Sequence, residues 1–324
     1  MPKARPKIVF LDSATVNLSD VELKALHRQG DLHLLDLRIG DAPPAEISDA
    51  EILISNKIPL GGSEFPRLPG LRLIAVAATG TNNVDLSEAR RSGIAVCNVP
   101  GYSTATVVEH TVLFLLAFAH RFFEHIVAVQ SGEWTRSPHF ALLEFPFSDL
   151  AGKTLGILGY GGIGRKVAAT AKAIGMKIRL GKLPGRSYRK SEKREPLRRL
   201  LAASDFVSLH CPLTEATRGL IDEEKLSWMK PGAYLLNMAR GPLVRESAVA
   251  EALRAGRLAG YGADVTGQEP PPADHPLLAA DLGDKVLLTP HIAWASRESR
   301  QRFIEEIAGN IAAFKAGKKR NRVV

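Results

Sequence analysis

Residues 153–175 read KTLGILGYGGIGRKVAATAKAIG. A short apolar, strand-like run ends in Gly159-Tyr160-Gly161-Gly162-Ile163-Gly164, and a helix-like stretch follows. In a strand–turn–helix the spaced glycines have separate jobs. Gly159 allows the tight turn, Gly161 lets the backbone approach a pyrophosphate, and Gly164 lets the helix pack closely on the strand. The pyrophosphate would sit at the helix N-terminus, where unpaired N–H groups and the helix dipole favour an anion. Alone, GxGxxG is a weak pattern, and a glycine turn without a ligand is the alternative. The surroundings argue against that alternative. Strand-like runs at 154–158, 177–180, 206–211, 233–238, 260–265 and 286–289 alternate with helical stretches, which predicts a six-stranded Rossmann sheet.

Toward the N-terminus the same alternation recurs. Runs at 7–12, 32–37, 51–55, 71–78 and 94–99 read as parallel strands, with helices such as 20–29 and 86–92 between them. The fold class is therefore α/β, with two doubly wound parallel-sheet (Rossmann-like) domains. Residues 107, 108, 111, 112, 115, 116 and 119, all apolar but Thr111, follow helical spacing, so a helix over 104–120 leads from one domain into the other. A last helix over 297–316 returns the chain to the first domain. That domain is then discontinuous, 1–101 with 296–324 (flavodoxin-like), and the dinucleotide-binding Rossmann domain spans 102–295. Closure of the two domains is expected, with hinges near Pro100-Gly101 and 293–296.

Composition is that of an ordinary globular protein, 45% hydrophobic and 24% charged. The two cysteines, Cys97 and Cys211, lie in strand-like runs, which fits a reducing compartment better than a disulfide framework. No apolar h-region opens the chain. The most apolar helix, near 111–119, is far short of the ~20 residues of a membrane span. These features predict a cytoplasmic protein with no membrane partner. Net charge is +9, but it is concentrated rather than spread along a face. Between Arg179 and Arg199 nine basic residues oppose two acidic ones, and the tail KAGKKRNRVV, read as frayed, holds most of the rest. No nucleic-acid partner is expected from that distribution, and no metal site is assigned.

Six stretches in order carry a resemblance: NVPGYSTATVVEHT, the glycine loop, VSLHCPLTEATRGLI, LLNMARGPLVRESAV, GADVTGQEPP and LTPHIAWASRESRQR. Over 98–302 the chain resembles the D-isomer-specific 2-hydroxyacid dehydrogenase family, most of all its glycerate dehydrogenase/hydroxypyruvate reductase branch. The resemblance implies a nicotinamide cofactor and a small 2-keto or 2-hydroxy acid, and it makes 1–101 with 296–324 the substrate domain. It also implies a homodimer, for which the helix at 107–119 and the aromatic loop 134–147 are suited. Those aromatics packing within their own chain is the alternative.

The resemblance implies a catalytic trio of Arg240, Glu269 and His291. Arg240 follows a strand in an N-x-A-R-G pattern, and a planar fork that is always charged suits a carboxylate beside a carbonyl. His291, in T-P-H, can give a proton to the keto oxygen and take it back in reverse. Glu269 would fix the tautomer of His291 and favour its imidazolium. Asp264 matches the aspartate that meets the nicotinamide end, and Cys211, Pro212 and Ala239 match residues lining the cofactor groove. Thr79 and Gly80 match the loop whose N–H groups hold the substrate carboxylate, although Ala78-Thr79 departs from the commoner G-V form. Trp294 replaces a residue that is small outside this branch.

NAD-selective Rossmann sites place an acid about twenty residues beyond the glycine loop, on the ribose 2′-OH. No acid stands there. Lys182 takes the place, followed by Arg186 and Ser187, which could bind a 2′-phosphate, so NADP(H) is favoured over NAD(H). The leading reading is NAD(P)H-dependent reduction of hydroxypyruvate or glyoxylate, and in reverse D-glycerate oxidation. A broader D-2-hydroxyacid dehydrogenase and a nucleotide-sensing, co-repressor-like binding protein are the rivals.

Overall fold

The computed structural model describes residues 5–16 and 19–324. The chain divides into two compact units, one reaching to Ser103 and resuming at Trp294, the other Thr104–Ala293.

In the first unit, β1 (Lys7–Phe10), β2 (Asp31–Leu34), β3 (Ile52–Ser55), β4 (Leu73–Val76) and β5 (Ala95–Cys97) form one parallel sheet in the order β2-β1-β3-β4-β5. Alternation along each strand loads both faces. Ile8, Phe10, Ile54 and Ala75 share a cluster with Phe303, Ile304, Ile307 and Ile311. Val9, Leu53, Ile74 and Val96 point the other way, among Ile58, Leu60 and Phe65. Each of the four large residues from 303 to 311 is fully buried, worth about 1.5–3 kcal/mol apiece. That burial is why the final helix belongs to the unit that begins the chain. The remaining helices of this unit are α1 (Lys24–His27) and α2 (Leu86–Arg91).

The second unit opens with α3 (Thr104–Ala119), α4 (Phe122–Gln130) and α5 (Glu133–Arg136). Its sheet holds β6 (Thr154–Leu158), β7 (Lys177–Leu180), β8 (Phe206–Leu209), β9 (Ala233–Asn237), β10 (Leu258–Ala263) and β11 (Val286–Leu288), in the order β11-β10-β9-β8-β6-β7 and parallel throughout. Between them run α6 (Gly162–Ala173), α7 (Leu197–Ala203), α8 (Glu223–Trp228) and α9 (Glu246–Arg254). The chain leaves β6 for β7 on one side and crosses to β8 on the other. The loop after β6 therefore lies at the switch point, where ligands of doubly wound sheets bind. The last helix, α10 (Arg297–Lys315), is the one packed in the first unit.

Four readings change. The helix expected over 20–29 shrinks to α1, because Asp20 is held by the Arg300 guanidinium at 2.6 and 2.5 Å and the Glu22 N–H by Gln301. β10 begins two residues earlier than expected and ends at Ala263. The tail is not frayed. Arg322 bridges antiparallel to Cys97, and the Val323 N–H donates to Val96 O at 2.8 Å, which covers the open edge of β5. The basic stretch after β7, whose outer members are expected from sequence to form a solvated helix, is mostly irregular, with one short turn at Lys190–Glu192 before α7.

Candidate active site

The glycine loop has the shape of a cradle. Gly159 has φ +100°, and a Cβ there would stand 2.4 Å from Cys211 N and the His210 carbonyl carbon. A Cβ on Gly164 would stand 2.0 Å from Gly159 O, while one on Gly161 or Gly162 would meet nothing within 4 Å. Two glycines are thus compelled by packing, and two leave open backbone at the start of α6, of which Gly161 is the N-cap. That arrangement fits a dinucleotide pyrophosphate. Ile163 is half-buried against the apolar cluster beneath α6. Cys211 and Pro212 follow β8 beside Gly159, and burial pushes the Cys211 thiol up to about 11.

Arg240 lies just beyond β9. Asn237 makes its turn: Nδ2 donates to Arg240 O at 2.9 Å, and Oδ1 accepts from Ala239 N–H at 3.1 Å. Arg240 Nη1 donates to Ala239 O at 2.7 Å, and no carboxylate among the described residues pairs with the exposed guanidinium. The next residue, Gly241, is buried so tightly that a Cβ would meet Thr266 C and O at 2.0 Å. The Arg240 turn and the loop holding Glu269 are therefore pressed backbone to backbone. That loop is also held by Glu246, which accepts from Gly267 N–H at 2.9 Å and meets His275 Nε2 at 3.0 Å. Glu269 Oε1 accepts from Thr266 N–H at 3.2 Å.

His291 Nδ1 lies 2.6 Å from Glu269 Oε2, with both side chains partly exposed. The His291 backbone is left-handed, φ +55°, a conformation that costs a residue with a Cβ on the order of 1–3 kcal/mol. Asp264 offsets that cost. Its Oδ1 accepts from the Thr289 hydroxyl at 2.6 Å and Ile292 N–H at 2.8 Å, and its Oδ2 from Ala293 N–H at 2.7 Å. The carboxylate, 2% exposed, thus ties down both flanks of His291. A carboxylate has about four acceptor positions, so one remains for a ligand's N–H.

Lys182 follows β7, its side chain exposed and its N–H bonded to Glu195 O at 2.8 Å. Arg186 and Ser187 are exposed on the same stretch, with Arg186 over the Tyr188 ring at 5.5 Å. Thr79 and Gly80 belong to the first unit, just past β4, where Thr79 Oγ1 donates to Val99 O and Asn98 Nδ2 to Thr79 O. Trp294 is also in that unit, packed among Tyr102 and Phe303.

Sequence reasoning passed over several residues. Asn237 carried a local signal, an amide three residues before an arginine at a strand end. Glu246, Thr289 and His110 carried none, since their partners lie far along the chain. Arg194 was counted among surface charges, yet its side chain is 9% exposed and its guanidinium lies between the rings of Tyr160 and Tyr188, at 5.0 and 5.3 Å. Tyr160 is part of the glycine loop, so this cation adjoins the cradle.

Residues 112–293 match the family model described as D-isomer specific 2-hydroxyacid dehydrogenase, NAD binding domain. A glycerate dehydrogenase from Methylorubrum extorquens is 38% identical over 98% of each chain. A hydroxypyruvate reductase from Blautia hydrogenotrophica is 36% identical over 96% of this chain and 97% of its own. A crystal structure of D-lactate dehydrogenase from Aquifex aeolicus, complexed with NAD and lactic acid, superposes with a TM-score of 0.81 at 30% identity over 96% of each chain.

Proposed function

The chain belongs to the D-isomer specific 2-hydroxyacid dehydrogenase family, oxidoreductases acting on CH–OH donors, and from that premise we propose that it reduces hydroxypyruvate or glyoxylate to the D-2-hydroxy acid and oxidises D-glycerate in reverse. The observation that carries the reading is the 2.6 Å pair of His291 and Glu269, beside a guanidinium with no carboxylate partner and in the same unit as the glycine cradle.

The backbone of Gly161, Gly162 and Ile163 holds the pyrophosphate, with Gly159 and Gly164 closing the turn behind it. Cys211, Pro212 and Ala239 line the groove, and Asp264 takes an N–H at the nicotinamide end. The bound cofactor supplies the hydride, or accepts it in reverse. Arg240 binds the substrate's carboxylate and steadies negative charge on the carbonyl oxygen. His291, with Nδ1 engaged by Glu269, gives the Nε2 proton to that oxygen, and the Glu269 charge favours the imidazolium that must form in the oxidation direction. The test is nicotinamide oxidation with a panel of 2-keto acids, where hydroxypyruvate or glyoxylate must be turned over faster than pyruvate.

Lys182, Arg186 and Ser187 make NADPH the preferred cofactor, since no acid stands at the end of β7 to repel a 2′-phosphate. The chain forms a homodimer through α4 and the loop 134–147 rather than through the helix expected at 107–119, since most apolar residues of α3 are buried in the core of their own unit. Phe122, Phe123, Val127 and Trp134 are about half exposed, Leu143 is 79% exposed and Phe140 94%, large apolar side chains of the kind that anchor interfaces. Phe145 and Phe147 instead pack on His120 and His125 in their own chain. Light scattering should report twice the 35.1 kDa chain mass; a monomer at micromolar concentration would refute the dimer. No single helix among the described residues is long and apolar enough to cross a membrane.

A further inference from the structure

We propose that His110 is a positioning residue for proton transfer: through Thr289 it orients Asp264, which holds the left-handed turn of His291. This inference rests on His291 being the proton donor.

Thr289 Oγ1 lies 2.8 Å from His110 Nε2 and 2.6 Å from Asp264 Oδ1. A hydroxyl has one proton to donate, and a carboxylate can only accept. The Thr289 proton therefore goes to Asp264, and Thr289 must accept from His110. That assigns His110 as the tautomer carrying its proton on Nε2, and the three groups form a chain with one direction: His110 Nε2–H to Thr289 Oγ1–H to Asp264 Oδ1. The Asp264 oxygens in turn accept the Ile292 and Ala293 N–H groups, immediately after His291.

The chain is built rather than incidental. The His110 and Asp264 side chains are 13% and 3% exposed, where an unmet donor or acceptor is costly. The His110 ring packs on Phe114, centroids 4.9 Å apart, which limits its rotation. Burial lowers the His110 pKa and the neighbouring Asp264 charge opposes that, leaving a neutral ring with a fixed donor at neutral pH. Without the His110 donor, Thr289 can rotate and Oδ1 loses a directed partner, so the His291 turn gains freedom while the glycine cradle is untouched.

Three variants and one spectrum test this. His110→Phe keeps the ring and removes the bond, Thr289→Val removes the relay, and His110→Gln restores a donor. We expect His110→Phe and Thr289→Val each to lower kcat by roughly tenfold, short of the ~10²-fold that a full ångström of misplacement costs. Cofactor Kd should stay within threefold, the double variant should be no worse than the worse single one, and His110→Gln should recover most of the loss. The ¹⁵N spectrum of the ligand-free wild type, with His110 assigned through the variants, should show the neutral Nε2–H tautomer at neutral pH. An unchanged kcat in His110→Phe, multiplicative losses in the double variant, or the Nδ1–H tautomer would overturn the proposal. His291→Gln serves as the parallel control. If it stays active, the proton-donor reading fails; if it is dead while His110→Phe is normal, only the positioning role fails.

Discussion

Replacing Gly241 by alanine probes how the trio is assembled without touching any of its members. A Cβ at 241 would lie 2.0 Å from the carbonyl carbon and oxygen of Thr266 and 2.4 Å from Gly267 N, where ordinary contact begins at 3.4 Å. All three are backbone atoms, so no rotamer relieves the clash. The turn carrying Arg240 and the loop carrying Glu269 must separate by more than an ångström. The loop is also tied in place, since Glu246 accepts from Gly267 N–H and is itself paired with His275. Overpacking of this kind costs about 1–3 kcal/mol of stability, which a calorimetric Tm will show. An ångström of misplacement costs about 10²-fold in rate, or roughly 2.7 kcal/mol of transition-state stabilisation. Gly241→Ala should therefore fold and lose about two orders of magnitude in kcat/KM for the keto acid. Cofactor affinity, measured by calorimetry, should fall by less than tenfold, because the glycine cradle lies on a different turn. A folded variant with kcat/KM within threefold of wild type would refute the claim that this close approach sets the geometry of the trio.

Lys182→Ala/Arg186→Ala should lose the preference for NADPH, through a raised KM for NADPH with that for NADH little changed; a wild type that prefers NADH by tenfold or more would overturn the assignment. His210 is half-buried with its Nδ1 shielded from solvent, and desolvation lowers its pKa from 6.5 to about 4. Between those values the unfolded chain takes up the proton and the folded one does not, so stability should fall as pH drops from about 6.5 toward 4, by roughly 3 kcal/mol in all. Denaturant titrations of wild type and His210→Asn across that range test it, and equal pH slopes would exclude His210 as the cause.

Strands and the glycine loop were legible because their signals are local. Continuous, mostly β-branched or bulky apolar runs at 8–11 and 52–54 and three spaced glycines after β6 each specify their own conformation. Asn237 was legible in principle for the same reason. The rest depends on partners remote in the chain. Nothing near Asp20 says that Arg300 will capture it and stop a helix, and nothing in KKRNRVV says that it will meet the open edge of β5. Asp264 matched a family position, but that its oxygens hold the backbone beyond His291 follows only from β10 and β11 lying side by side. Arg194 shows the opposite failure, a charge counted with a solvated cluster that the fold buries between two tyrosines.

In the proposed reaction a hydride passes to a small 2-keto acid with His291 as proton donor. The most direct test is the steady-state oxidation of NADPH and NADH by wild type and His291→Gln, with hydroxypyruvate and glyoxylate as substrates and chiral analysis of the glycerate formed. Wild type should turn over at about 1 s⁻¹ or faster and yield D-glycerate, and the variant should be slower by about 10²–10⁴-fold with cofactor binding retained. No nicotinamide oxidation by the wild type, an L product, or a variant within tenfold of wild type would contradict the account.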